Sequence, residues 1–292
     1  MRFKIRHFTV YEYDHDVSLS HHIARLTPRE FGVQQCLEHE IVTIPPPTSV
    51  NSHLDHFGNT ATFLTIESPH RRLEIVAHSV LEVGMMTLVP AEKTVGWESI
   101  RDQFVAEGKS ASPEVAEFVF PSPMLPRVDE LEVYTLISFP AGRPILVGAN
   151  ELCARIHRDF KFDSGATTVA TSLEEFFRQR RGVCQDFAHL MVACLRTLGL
   201  PARYVSGYLE TVPPPGQVKL VGADASHAWV AVWCGPAGWQ DLDPTNNVRP
   251  TERHLTLGWG RDFADVSPVH GVVVGGGNHR LRVAVDVNAV AR

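Results

Sequence analysis

The stretch Arg181-Gly182-Val183-Cys184-Gln185-Asp186-Phe187-Ala188-His189-Leu190-Met191-Val192-Ala193-Cys194-Leu195-Arg196-Thr197-Leu198-Gly199-Leu200-Pro201 decides the reading of this 292-residue chain. Phe187, Leu190, Met191, Cys194, Leu195 and Leu198 recur at three- and four-residue intervals, which makes one continuous apolar helix face. Gly199 and Pro201 are the expected stop. The helix should be buried, with Cys184 in its first turn. There a thiol faces amides that have no intrahelical acceptor, at the positive end of the helix dipole, and both favour the thiolate. The competing reading of Cys184 is a small packed residue like Cys194, which falls on the apolar face and should be inert.

Downstream, Ser226-His227-Ala228-Trp229-Val230-Ala231-Val232-Trp233 reads as a strand, Gly235-Pro236-Ala237-Gly238 as a turn, and Trp239-Gln240-Asp241-Leu242-Asp243-Pro244-Thr245 as the returning strand. A loop of odd length centred on Pro236 would set Asp243 opposite Trp229, on the face of His227 and diagonal to it, where side chains can meet. A two-residue turn would put Asp243 on the other face. Asp241 shares the facing of Asp243 but lies farther from His227. A thiol, an imidazole to deprotonate it and a carboxylate to orient the imidazole are the parts of nucleophilic acyl transfer. His189 lies five residues along the helix, roughly 140° around it from Cys184, and cannot easily serve as the base. Asp186 is also misdirected and should interact with the helix start.

Upstream, residues 3–13, 23–26, 37–44, 60–66 and 73–83 alternate apolar and polar positions, with Pro45-Pro46-Pro47 and Phe57-Gly58-Asn59 as turns. They predict a β-sandwich-like domain over residues 1–88. Residues 89–130 should be a helical connection, with helical patterns at 97–106 and 113–120 and connecting segments at 110–127. Residues 131–292 should form a catalytic unit. It would include a helix over about 145–160 and a short one over 172–180, opened by Thr171 with Glu174 as its capping partner.

The charge, 27 basic against 33 acidic residues or 27 − 33 = −6, and the lack of a basic run argue against a nucleic-acid partner. No apolar stretch reaches the roughly 18 residues that cross a bilayer, so no membrane partner is expected. Residues 1–8 alternate charged and apolar side chains like a strand and unlike a secretory leader. Five widely spaced cysteines (Cys36, Cys153, Cys184, Cys194, Cys234) suit reduced thiols, and a cytoplasmic location is expected. His21-His22 and His53-Leu54-Asp55-His56 invite a metal reading, but neither pair has companions at ligand spacing, so surface or loop histidines are expected.

The segments Gly182-Val183-Cys184-Gln185-Asp186-Phe187-Ala188-His189, His227-Ala228-Trp229-Val230 and Asp243-Pro244-Thr245 resemble, in order and spacing, the three active-site motifs of the transglutaminase-like superfamily of papain-type cysteine enzymes. Arg25-Leu26-Thr27-Pro28, Asp55-His56-Phe57-Gly58-Asn59 and Pro69-His70 resemble the β-rich N-terminal domain of a bacterial branch. Gly260-Arg261-Asp262-Phe263 and Asp265-Val266-Ser267-Pro268 resemble its C-terminal part. The resemblance implies an α+β core in which a central helix packs on an antiparallel sheet. It also implies a triad of Cys184, His227 and Asp243, with the Cys184 amide as one oxyanion donor. Members include crosslinkers, peptidases, amidases and inactive proteins, so the resemblance leaves the reaction open. Calcium dependence belongs to the animal crosslinkers and no calcium-loop pattern is evident here, so neither metal nor cofactor is expected. The expected activity is a cysteine acyl-enzyme acting on an amide, peptide or isopeptide bond, with a peptide or protein as substrate and water as the default acceptor. Tyr208, Trp229 and Trp239, with Trp233, are candidates to line a substrate channel, although aromatics at strand spacing are more often core. The alternative is an inactive interaction module that retains the fold.

Overall fold

The computed structural model describes residues 1–105, 112–167, 171–211 and 225–290. In its first part run β1 (Arg2–Ala24), β2 (Gln34–Ile44), β3 (Ser49–Leu54), β4 (Thr60–Ile66) and β5 (His70–Val83), then helices α1 (Trp97–Val105), α2 (Pro113–Ala116), α3 (Glu130–Leu136) and α4 (Ile145–Asp159). Next come β6 (Lys161–Phe162), α5 (Leu173–Gln179), β7 (Arg181–Gly182), α6 (Cys184–Thr197), β8 (Ala202–Leu209), β9 (Ala225–Trp233) and β10 (Trp239–Leu242). Strand β11 (His254–Gly260), α7 (Phe263–Val266), β12 (Val269–Gly275) and β13 (His279–Val290) follow.

Alternation in β1 buries Phe3, Ile5, His7 and Thr9 and exposes Lys4 and Arg6, as a one-sided strand should. Its pairing with β5 shifts register between Glu12 and Val17, and the strand divides its partners there. The first half lies between β5 and β13, the second between β4 and β12. Leu64 and Ile66 of β4 share a core with Leu73, Ile75 and Ala77 of β5, so the two halves stack in the sandwich-like manner expected.

Several expectations are corrected. Residues 3–13 and 23–26 belong to, or adjoin, one long strand. Strand β3 is an addition, since its six residues are all exposed and carry no alternation to read. Residues 269–290 fall in the span expected for the catalytic unit, yet they supply β12 and β13 to the N-terminal sheet, where they cover edges of β1. His21 and His22 sit in β1, and His22 is buried rather than on a loop. Helix α5 is capped one residue later than predicted, by Ser172, whose hydroxyl accepts the Glu175 amide. Ala106, the expected end of the first helix, lies outside the described residues.

The second unit is a four-stranded antiparallel sheet in the order β10-β9-β8-β11 with α6 packed on it. Ala228, Val230 and Val232 of β9 and Leu242 of β10 face α6, while α3, α4 and α5 cover its other sides. Enclosure on all sides explains why α6 is buried from Asp186 to Arg196, well beyond one stripe.

The two units are joined along β11. The Gln34 side chain accepts the Thr256 amide at 2.9 Å and donates to its carbonyl at 2.8 Å. Asn59 treats Trp259 the same way, at 3.0 and 2.9 Å. Between these anchors β11 bulges, shifting its register on β8 between Thr256 and Gly258. A Cβ at Gly258 would lie 2.5 Å from Asn59 Oδ1, so the close approach requires glycine. Asn59 is itself held by Asp55, which accepts the Phe57 and Asn59 amides and pairs with Arg25.

Candidate active site

The turn from β7 into α6 is built around Asp186. Its Oδ2 accepts the Val183 amide at 2.8 Å and the Thr167 hydroxyl at 2.7 Å, tying down the helix start. Burial raises the Asp186 pKa, and these two hydrogen bonds pull it back. A Cβ at Gly182 would stand 2.4 Å from this carboxylate and 2.8 Å from the Phe176 ring, so only glycine fits. Cys184 follows as the first helical residue, half-buried, with its thiol 3.9 Å from the Ser226 carbonyl.

The hairpin brings the rest of the site to this thiol. Trp239 pairs with Trp233, Asp241 with Ala231 and Leu242 with Val230, the odd-loop register that sets Asp243 opposite Trp229. His227 Nε2 lies 2.7 Å from Asp243 Oδ2, and the Cys184 thiol, which is 3.9 Å from the carbonyl of the adjacent Ser226, lies near enough to help raise the ring's pKa. With Nε2 held by Asp243, Nδ1 is the ring nitrogen left for a second partner. Asp241 is occupied elsewhere, accepting the Trp229 indole N–H at 3.1 Å.

Asp243 is buried and saturated with donors. Its Oδ1 accepts the Thr245 and Asn246 amides at 3.0 and 3.1 Å. Its Oδ2 is shared by His227, by the Asn246 side chain at 2.7 Å and by His254 Nε2 at 3.2 Å. Burial pushes its pKa up, but these bonds and the charge on His227 win and hold it well below the usual carboxylate range. Burial likewise lowers the pKa of His227, and the bonds and charges of Asp243 and Cys184 outweigh it, raising the ring to about 10. The arrangement therefore favours a protonated His227 ring beside an ionised Asp243 carboxylate.

His254, which sequence reasoning missed, and Asn246, whose side chain also lies 3.3 Å from His227 Nε2, complete the group around Asp243. Asn246 carried a faint signal, three residues past Asp243 in a turn-forming run. His254 carried none, because its place depends on the bulged pairing of β11 with β8.

The remaining candidates have other employment. His189 Nε2 accepts the Phe263 amide at 3.1 Å, and burial pushes its pKa down to about 4. Burial pushes the Cys153, Cys194 and Cys234 thiols up to about 12 and raises Cys36, and all five cysteines are free. Tyr208 and Trp229 are packed in the interior. Tyr208 is 1% exposed and its hydroxyl meets His7 Nδ1 at 3.0 Å in the junction with the N-terminal sheet. Trp229 is 0% exposed and belongs to a cluster with Val205 and Ala231. Trp239, packed against that cluster and against Trp233, lines a cavity that no triad candidate touches.

Among the described residues, His227, Asp243 and His254 bring three potential ligand atoms within 4.8 Å of one another. Both rings, however, use the nitrogen a cation would need to hydrogen-bond one carboxylate oxygen, so the group does not fit a metal centre.

Residues 3–82 match the bacterial transglutaminase-like N-terminal region, and residues 142–244 match the transglutaminase-like superfamily. An uncharacterised protein of Mycobacterium tuberculosis H37Rv is 38% identical over 296 residues, covering 98% of this chain and 92% of that protein. A protein-glutamine gamma-glutamyltransferase of Pseudomonas aeruginosa is 40% identical over only 85 residues, 28% of this chain and 13% of that protein. The crystal structure of a Cytophaga hutchinsonii protein provisionally designated a cysteine protease has the same fold, with a TM-score of 0.77 at 21% identity, covering 100% of this chain and 91% of that one. Its N-terminal sheet, its helix-on-sheet core and its end-to-end likeness to the mycobacterial protein make this chain a member of the transglutaminase-like superfamily.

Proposed function

We propose that the chain is a cysteine-dependent acyl-enzyme that hydrolyses an amide, peptide or isopeptide bond of a peptide or protein. The observation that carries this reading is His227, held 2.7 Å from a buried carboxylate, with the Cys184 thiol 3.9 Å from the carbonyl of the adjacent Ser226. The Cys184 thiolate attacks the carbonyl, the C–N bond breaks, and His227 passes a proton to the leaving amine. Water then attacks the thioester, losing a proton to His227 and releasing the acid and the thiol. An amine acceptor in place of water would give transamidation. As the first residue of α6, Cys184 offers an amide with no intrahelical acceptor, suited to the developing oxyanion.

The triad roles and the hydrolytic outcome are tested together by profiling the protein against a peptide and glutamine-amide library, with Cys184→Ala as blank. Release of free amine or ammonia that the blank lacks is expected. Failure of every amide to turn over, with Cys184 no more reactive than the other thiols, would favour the interaction-module reading. Five free thiols suit a reducing compartment such as the cytoplasm. Fractionation of native cells tests that. Residues 1–88 joined by 89–130 to 131–268, with 269–290 returned to the first unit, is the domain division we favour, and limited proteolysis would test it.

A further inference from the structure

The sheet that carries the site has a second polar cluster facing the N-terminal unit. Arg203 and Asp241 line a cavity of about 190 Å³ there, with Trp239, Trp259 and Arg249, and Leu88 bounds it from the N-terminal side. The Arg203 guanidinium lies between two indoles, its carbon 4.3 Å from the Trp239 ring centre and 3.8 Å from that of Trp259. Stacking on both faces fixes the plane of the guanidinium and leaves its edge for a planar acceptor. Yet Arg203 Nε is buried without an acceptor, and so is Arg249 Nε, whose terminal nitrogens are taken by the Val89 carbonyl and Gln240. Buried donors of this kind are uncommon, because each forfeits a hydrogen bond that water would give.

The charges set the class of ligand. The lining holds two guanidiniums and one buried carboxylate, Asp241, which is already bonded to the Trp229 indole, and a third guanidinium, Arg29, stacks 3.6 Å from the Trp259 ring centre just outside it. One further negative charge balances the cavity, and a dianion would stand against Asp241. The volume is below the ~300–1,000 Å³ of pockets for drug-sized ligands, so the occupant is small. Burial lowers Arg203 to about 9, a direction that a bound anion would reverse.

We propose that this cavity binds a short-chain monocarboxylic acid, its carboxylate paired with the terminal nitrogens of Arg203, while Arg249 in the cavity wall adds positive charge. The site is separate from the triad candidates and does not rest on their proposed chemistry. The test is calorimetric titration of the Cys184→Ala protein at pH 7 with butyrate, butyramide and inorganic phosphate. Saturable butyrate binding, silence with butyramide, and weakening by about tenfold or more in Arg203→Gln are expected. If Arg203→Gln does not fold by circular dichroism, Arg249→Gln replaces it and should weaken butyrate several-fold. Absence of saturable butyrate binding, equal binding of butyramide, tighter binding of phosphate, or a folded variant with undiminished affinity would each overturn the proposal.

Discussion

Asn59 and Trp259 stand 200 residues apart in the chain and are joined by two hydrogen bonds through one side chain. The side chain occupies the place of a neighbouring strand on the edge of β11 away from β8, so the N-terminal unit completes the pairing of β11 beyond its bulge. His254, at the other end of β11, reaches Asp243. The N-terminal unit thus braces the strand that carries one of the donors to the Asp243 carboxylate.

Replacing Asn59 by Ala removes both bonds and leaves the Trp259 backbone groups poorly paired. We expect a loss of about 1–3 kcal/mol in urea unfolding and faster hydrogen exchange at the Trp259 amide. Unchanged exchange there would mean that the brace contributes nothing.

His254→Ala should act through Asp243. With one donor gone, the Asp243 carboxylate is left more basic and holds the His227 proton more tightly, so the alkaline limb of the pH–rate profile should move to higher pH. A drop in kcat/KM of about tenfold is expected. A loss of activity with an unmoved limb would indicate a merely structural role.

Removal of the triad candidates should be graded on whichever amide substrate the library yields. Cys184→Ala should abolish turnover and His227→Ala should be nearly as severe, while Asp243→Ala should be milder, because a thiol ionises more readily than a serine hydroxyl. The Cys184/His227 double variant should be little worse than Cys184→Ala alone. Substantial activity in Cys184→Ala would end the thiol mechanism.

Brief treatment with iodoacetamide at neutral pH should label Cys184 first. Cys153, Cys194 and Cys234 are buried thiols pushed up to about 12, and Cys36 is half-buried and raised. Peptide mapping by mass spectrometry reads the order, and modification of Cys36 ahead of Cys184 would contradict it.

Acid stability follows from His7, His22 and His189, which burial pushes from 6.5 to about 4. A histidine whose folded pKa is depressed contributes stability that is fully present above 6.5 and is lost as pH falls toward 4. For His189 the cause is concrete, since a protonated Nε2 could no longer accept the Phe263 amide. His227 has the opposite sign, and its contribution is present below 6.5 and lost as pH rises through about 10. Urea midpoints should therefore fall steeply between pH 6.5 and 4, and a flat profile there would refute the assignment.

The parts legible in the sequence were those with short-range rules. The apolar spacing from Phe187 to Leu198 located α6, and the loop around Pro236 set the register that carries Asp243 to His227. His254 stayed hidden because a bulge lies between it and the rest of its strand, and no local pattern reports a bulge on a distant partner. Tyr208 and Trp229 were offered to a channel because strand alternation says which side chains share a face and nothing about what covers that face. The same limit concealed β12 and β13, whose partner β1 lies more than two hundred residues away.

That return of the chain has a consequence for synthesis. Residues Arg2–Tyr13 leave the ribosome long before the strand that lines one of their edges, His279–Val290, which is made after everything between. Until then the nascent N-terminal unit exposes an open edge, ready to pair with whatever strand it meets. Folding of these two units is therefore expected to be slow and largely post-translational, with the helix-on-sheet unit able to form while the N-terminal unit that braces it is still unfinished.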